Sequence, residues 1–316
     1  MKGLRILPIT ILVATALLAG CSGGSGGGSG DAGSSGTKSS TLSISLMDAP
    51  VDNVTAVYVK ITAMWIKPSG SGPAVELPMP NGPMTVNIMG LTDTNAAILV
   101  DGATIEPGSY EWIAMDIAAE PNVRDSYVIT STGGEEELET DLKVPSGRLR
   151  LVSGFDVPEN QAVKLLFDWD MRKGLVFPPG QGRYFLKPAF RMLDVTAYGA
   201  LEGTIAGSFV NDPANMCTDD DMDPDVGNVV YVFAGLGVTP DDVDGVDDPV
   251  ATVEATRNDA GDYVYHTLLD PGDYTVAFTC QAASDDPEMD DSLTFLPAVD
   301  VTNTGGTSTV DFPQVP

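Results

Sequence analysis

Cations are scarce in this chain. Its 316 residues include 16 Lys and Arg against 45 Asp and Glu, a formal net charge of −29. Nucleic acid and anionic membrane surfaces are recognised by clustered cations, so this balance excludes both as partners of the folded body. Histidine is scarcer still, with His266 alone. One imidazole excludes multi-His metal centres, and three scattered cysteines exclude a Cys-rich zinc framework. The most apolar run, Ile6 to Leu18, is interrupted by Pro8, Thr10 and Thr15. It falls short of the ~20 apolar residues a membrane-spanning helix needs. What the chain does have is 43% hydrophobic residues, too many for a mainly disordered polymer. Its length suffices for two ordinary domains.

The N-terminus reads as an address. Lys2 and Arg5 precede the apolar run, and Leu18-Ala19-Gly20-Cys21 closes it. Small residues let a signal peptidase grip an extended backbone. A Cys directly after Leu-Ala-Gly resembles the lipobox of bacterial lipoproteins. That resemblance implies removal of residues 1–20 as a signal peptide and acylation of Cys21. Ser22, where inner-membrane lipoproteins carry Asp, implies sorting to the outer membrane. Residues 21–40 then form the lipidated Cys and a flexible linker, since 15 of the 19 positions from 22 to 40 are Gly or Ser. A coil of that composition reaches ~25 Å. Gly28-Ser29-Gly30-Asp31-Ala32-Gly33 spells a dinucleotide fingerprint, but it follows no strand and opens no helix, so it is discarded.

From residue 41 the apolar period is two. Leu42, Ile44 and Leu46 alternate with Ser43 and Ser45; Val57, Val59, Ile61, Ala63 and Trp65 alternate with Tyr58, Lys60, Thr62 and Met64. Pro and Gly punctuate many such short runs. This pattern predicts an all-β chain of antiparallel sandwiches. One short helix is predicted near Thr92 to Val100, with Thr92, Asp93 or Thr94 as its cap. Charge changes abruptly near 198. Residues 1–198 carry net −6, whereas 199–316 hold one cation, Arg257, and net −23. A break this sharp predicts a domain boundary, with one sandwich at 41–197 and an acidic one at 198–316.

Three stretches carry a family likeness: Leu42 to Asp52 followed by Val54 to Val59, Glu106-Pro107-Gly108-Ser109-Tyr110, and Val163 to Asp170 followed by Gly182 to Pro188. Together they resemble the domain-of-unknown-function family 4382 of bacterial lipoproteins, over roughly 41 to 195. The resemblance implies an extracytoplasmic β-rich domain and transfers no catalytic residue. The second block is similar to transthyretin-like or carboxypeptidase-regulatory-type sandwiches. That likeness rests on Leu201 to Ile205, Gly261 to Tyr265 and Leu269-Asp270-Pro271-Gly272-Asp273-Tyr274.

Cys217 and Cys280 remain once Cys21 is lipidated, and an oxidising compartment would pair them; two separate thiols are the other reading. Asp219, Asp221, Asp223 and Asp225 alternate in one loop, and Asp241 and Asp244 stand in another. Alternating carboxylates can converge on calcium, which takes 6–8 oxygens. The other reading is a solvated acidic surface. Glu135, Glu137, Glu139 and Asp141 would form a like-charged row on an edge strand, which resists sheet-to-sheet pairing. Asp168 and Asp170 flank Trp169 and precede Arg172 and Lys173, a pattern of surface ion pairs or of a glycosidase carboxylate pair. His266 lies in a strand pattern with no nucleophile elbow nearby. Trp65, Trp112 and Trp169 fall in three strands, suited to core packing or to stacking on sugars.

The chain therefore reads as a non-catalytic envelope lipoprotein, a binding or structural module held at the outer membrane by lipid. Its partner is an envelope protein or glycan, and calcium is the one cofactor suggested. A carboxylate-dependent envelope glycan hydrolase is the alternative.

Overall fold

The computed structural model describes residues 39–49, 54–92, 95–131, 137–212, 215, 217, 225–244 and 247–313. Cys21, Asp219, Asp221, Asp223 and Glu135 lie outside the described residues. No helix among the described residues is long and apolar enough to cross a membrane.

The body is all-β and is built from four sheets, each drawn wholly from one side of residue 198. In the first block, one sheet orders the strands Phe190–Asp194, Ala162–Asp170, Ser40–Ala49 and Ala97–Ile105. A ten-stranded sheet centred on Val54–Pro68 and Gly108–Ala118 faces it. Leu42, Ile44 and Leu46 pack from the first sheet, and Val57, Val59 and Ile61 from the second, into one core. Ladders are mostly antiparallel. Three are parallel: Ser40–Ala49 with Ala162–Asp170, Glu137–Lys143 with Tyr184–Leu186, and Gly199–Ile205 with Thr307–Thr309.

Two sequence expectations fail here for definite reasons. The alternation of Val54–Pro68 changes phase at Thr62, where a register shift sets two residues against one of the partner strand. Such a bulge sends later side chains to the opposite face. Met64 and Ile66 therefore enter the core, and Trp65 turns outward. The predicted helix over 92–100 is instead the start of the strand Ala97–Ile105, because Leu99 and Val100 are needed in the core opposite Ser40–Ala49. Local capping signals give way to tertiary burial.

The second block is a sandwich of two four-stranded sheets. One orders Thr256–Arg257, Tyr263–Leu269, Gly199–Ile205 and Thr307–Thr309. The other orders Ala251–Glu254, Val229–Ala234, Gly272–Thr279 and Val299–Asn303. The unbroken run Val229-Val230-Tyr231-Val232-Phe233 is buried on both faces. Val230 and Val232 enter the sandwich core. Val229, Tyr231 and Phe233 pack under the loops that carry Val243 and Ala282.

Cys217 and Cys280 form a disulfide with Cα atoms 5.0 Å apart. It ties the loop after Gly207–Val210 to the end of Gly272–Thr279.

Candidate functional site

The strand Ala162–Asp170 runs into the short helix Met171–Gly174, and this junction forms the centre of contact between the blocks. Residues two apart on a strand share a face, so Asp168 and Asp170 point the same way. Asp168, 4% exposed, accepts from Arg191 Nε at 2.9 Å and Nη2 at 2.5 Å. The same Nη2 donates to Thr267 Oγ1 of the second block at 3.0 Å. Asp170, 7% exposed, caps the helix by accepting from Lys173 N at 3.2 Å. It also accepts from the Thr252 backbone N–H at 3.2 Å and hydroxyl at 2.9 Å. Burial pushes its carboxyl above the usual carboxylate range; Lys173 and the Thr252 hydroxyl act in the opposite direction.

Two further cations cross the seam. Arg172 Nη1 donates to the Ala282 carbonyl at 2.6 Å, and Lys173 Nζ to the Pro249 carbonyl at 2.7 Å. Met47, Leu166, Leu193 and Leu268 make an apolar cluster beside these groups. Asp168 and Asp170 are thus buried ties between blocks. They are not the surface ion pairs expected from their spacing. Arg191, Thr252 and Thr267 carried no signal in the sequence, because their partners lie 23, 82 and 76 residues away.

Beside the seam opens a cleft of about 660 Å³. Met47, Met89 and Leu91 line it from the first block, and Leu268 from the second. Asp48, Glu202, Glu254 and Asp311 add acidic groups around these apolar side chains. His266 also lines it, exposed and opposite Glu202 in the ladder. Among the described residues no hydroxyl or thiol hydrogen-bonds its ring. The cleft can hold an apolar group flanked by cations, and it shows no nucleophile–base pair.

The remaining candidates are dispersed. Trp169 is fully buried. Trp65 and Trp112 share the outer face of the ten-stranded sheet, under Arg148 at 4.9 Å and Arg150 at 4.4 Å. Arg148 donates to Asp116 from Nε at 2.5 Å and Nη2 at 2.8 Å, and Trp65 Nε1 donates to Asp116 at 2.8 Å. Glu137–Lys143 pairs along its length with Tyr127–Ser131, and on its other side only through Leu142 and Lys143. Glu139 on that strand meets Arg124 at 2.8 Å.

The carboxylates picked for calcium do not gather as their spacing suggested. Asp225 accepts from the Tyr263 hydroxyl at 2.5 Å and lies 3.8 Å from Arg257. Asp244 is exposed. Neither belongs to a convergent group among the described residues. Asp241 does, with Asp242 and Asp290, their oxygens within 4.8 Å of one another. Proximity in space, from a loop some fifty residues further on, makes that group.

Residues 39–188 match the family described as "Domain of unknown function (DUF4382)". No curated protein matches the chain. Among solved structures, the chain is similar to a candidate adhesin from Bacteroides ovatus at 10% identity and a TM-score of 0.21, covering 95% of this chain and 100% of that one. It is also similar to the fimbrial anchor protein Mfa2 from Porphyromonas gingivalis at 8% identity and a TM-score of 0.19, covering 83% of each. Overlaps at these scores carry no functional argument.

Proposed function

Residues 39–188 of the chain belong to the DUF4382 family, and from that premise we propose that the protein is a non-catalytic lipoprotein of the bacterial cell envelope. Cys21 carries the lipid, the Gly/Ser segment is the tether, and the two sandwiches are presented at the outer membrane as one body. The observation that carries this reading is the seam. The carboxylates best placed for chemistry, Asp168 and Asp170, are held by Arg191 and by Thr252, across the boundary between blocks. Groups used in this way stiffen a two-part body. Binding falls to the adjacent cleft, whose acidic rim and apolar walls suit a basic, partly apolar segment of an envelope protein. The calcium and glycan readings remain open beside this one.

The test combines anchoring with capture. The full chain should take up an acyl chain and partition with outer membranes, and Cys21→Ser should lose both. Envelope proteins captured by the wild type should be lost on Glu202→Lys/Asp311→Lys. Retention of the acyl mass in Cys21→Ser, or undiminished capture by the charge-reversed cleft, defeats the proposal. The hydrolase reading draws on the raised carboxyl of Asp170. It requires turnover of an envelope glycan that disappears in Asp170→Asn.

A further inference from the structure

Two acidic loops meet over the outer face of the strand Val229–Ala234. One carries Asp241 and Asp242, the other Asp285, Asp290 and Asp291. They are pinned from below, because Val243 and Ala282 pack with Val229, Tyr231 and Phe233 in an apolar cluster. Backbone donors fix the carboxylates from the sides. Asp291 N donates to Asp242 Oδ2, Val243 N to Asp285 Oδ1 at 3.3 Å, and Asp286 N to Asp291 Oδ2 at 2.7 Å. The Tyr231 hydroxyl donates to Asp285 Oδ2.

Asp242 is common to two convergent groups. Its carboxylate lies with those of Asp285 and Asp291, and with those of Asp241 and Asp290. Within each group the oxygens fall within 4.8 Å of one another. That is the span of two Ca–O bonds of ~2.4 Å on opposite sides of one ion. Asp242 is 0% exposed, and its Oδ1 has no hydrogen-bond partner. A fully buried carboxylate oxygen with no donor, set among four other carboxylates, is an uncompensated cost of the kind that proteins relieve with a ligand. The ligand that fits is a hard cation.

We propose that Asp242 is the central ligand of a calcium-binding site completed by Asp241, Asp285, Asp290 and Asp291. Calcium accepts many oxygens in flexible geometry. Magnesium demands a near-ideal octahedron and is usually held through one or two carboxylates with several waters, so five carboxylates on two loops favour calcium. The site joins the segment 240–244 to the segment 282–291. Arg172 of the first block reaches the carbonyl of Ala282 at the start of the second loop, so a bound ion also firms the surface on which the blocks meet. This assignment is independent of lipid anchoring and of the cleft.

The experiment is calcium titration of the full chain by calorimetry, with melting followed in calcium and in chelator, and magnesium as the comparison. Calcium should release or absorb heat and raise the melting temperature, and magnesium should do so less. Asp242→Asn keeps an oxygen for Asp291 N. It should weaken calcium at least tenfold while melting no lower than the wild type in chelator, because it removes an uncompensated charge. A residue of purely structural use would melt lower in both conditions. Asp290→Asn, at an exposed position that leaves folding intact, should weaken calcium to a smaller degree. Absence of any heat or melting shift with calcium overturns the assignment. So does a wild-type response from Asp242→Asn/Asp291→Asn.

Discussion

The hydroxyl of Tyr274 donates to the carbonyl of Asp270 at 2.9 Å, closing the turn Asp270-Pro271-Gly272-Asp273 back on itself. The same device occurs in the first block, where the Tyr110 hydroxyl donates to the Glu106 carbonyl at 2.8 Å across Glu106-Pro107-Gly108-Ser109. In each case the turn joins strands of opposite sheets: Ala97–Ile105 to Gly108–Ala118, and Tyr263–Leu269 to Gly272–Thr279. An acidic residue, Pro, Gly and a Tyr four positions on form one motif that carries the chain over the edge of a sandwich. Burial raises both phenols above their ordinary value, so both stay protonated as donors. Tyr110→Phe and Tyr274→Phe should each lose about 1 kcal/mol, the net worth of one hydrogen bond. The losses should add in the double variant, since the sites share no partner. Urea unfolding of the three variants checks both statements.

The disulfide Cys217–Cys280 closes a loop of 63 residues. Chain-entropy reasoning assigns such a closure ~4 kcal/mol, drawn mostly from the unfolded state. Cys217→Ser/Cys280→Ser should therefore lower stability by roughly 2–4 kcal/mol. Thermal melting with and without reductant should show the wild type falling to the level of the variant, and the variant unmoved.

Asp170 sets a pH dependence of definite sign. Its folded carboxyl titrates above the ordinary 3.8, chiefly through burial. The folded state then holds the proton more tightly than the unfolded one. The contribution is present in full below the unfolded value and is lost as pH rises through the raised folded value. Asp242 and Asp285 are shifted in the same direction, again mainly by burial. In chelator, stability should decline as pH rises out of the ordinary carboxylate range. Asp170→Asn should flatten that decline, and denaturant midpoints measured across pH give the slope.

Asp116 runs the other way. The hydrogen bond from Arg148 holds its carboxyl below the usual range, against a smaller opposing effect of burial. Its contribution is present above the unfolded value and fades as pH falls through the folded one. Arg148→Lys removes the paired N–H contacts and the stack over Trp65, since an ammonium has no planar fork. A loss of about 1 kcal/mol is expected. A shift in Trp65 fluorescence should accompany it.

Much of the architecture is written locally. Alternation at period two marks Leu42, Ile44 and Leu46 as one face of a strand. Pro-Gly pairs mark the turns, and the charge break near 198 coincides with the point where one set of sheets ends and the next begins. These features depend on residues within a few positions of each other, so a linear reading recovers them. Pairings between distant segments could not be read in this way. The bulge at Thr62 that turns Trp65 outward follows from pairing with Gly108–Ala118. The strand over 97–105 exists because Ser40–Ala49 lies beside it. Asp168 and Asp170 became ties because Arg191, Thr252 and Thr267 reach them from afar. The carboxylates around Asp242 come together only because two loops share one apolar floor. Backbone period and turn chemistry are short-range energies carried by the chain itself. Which charges end up as neighbours is set by burial of apolar surface across the whole body, and only folding in three dimensions specifies that.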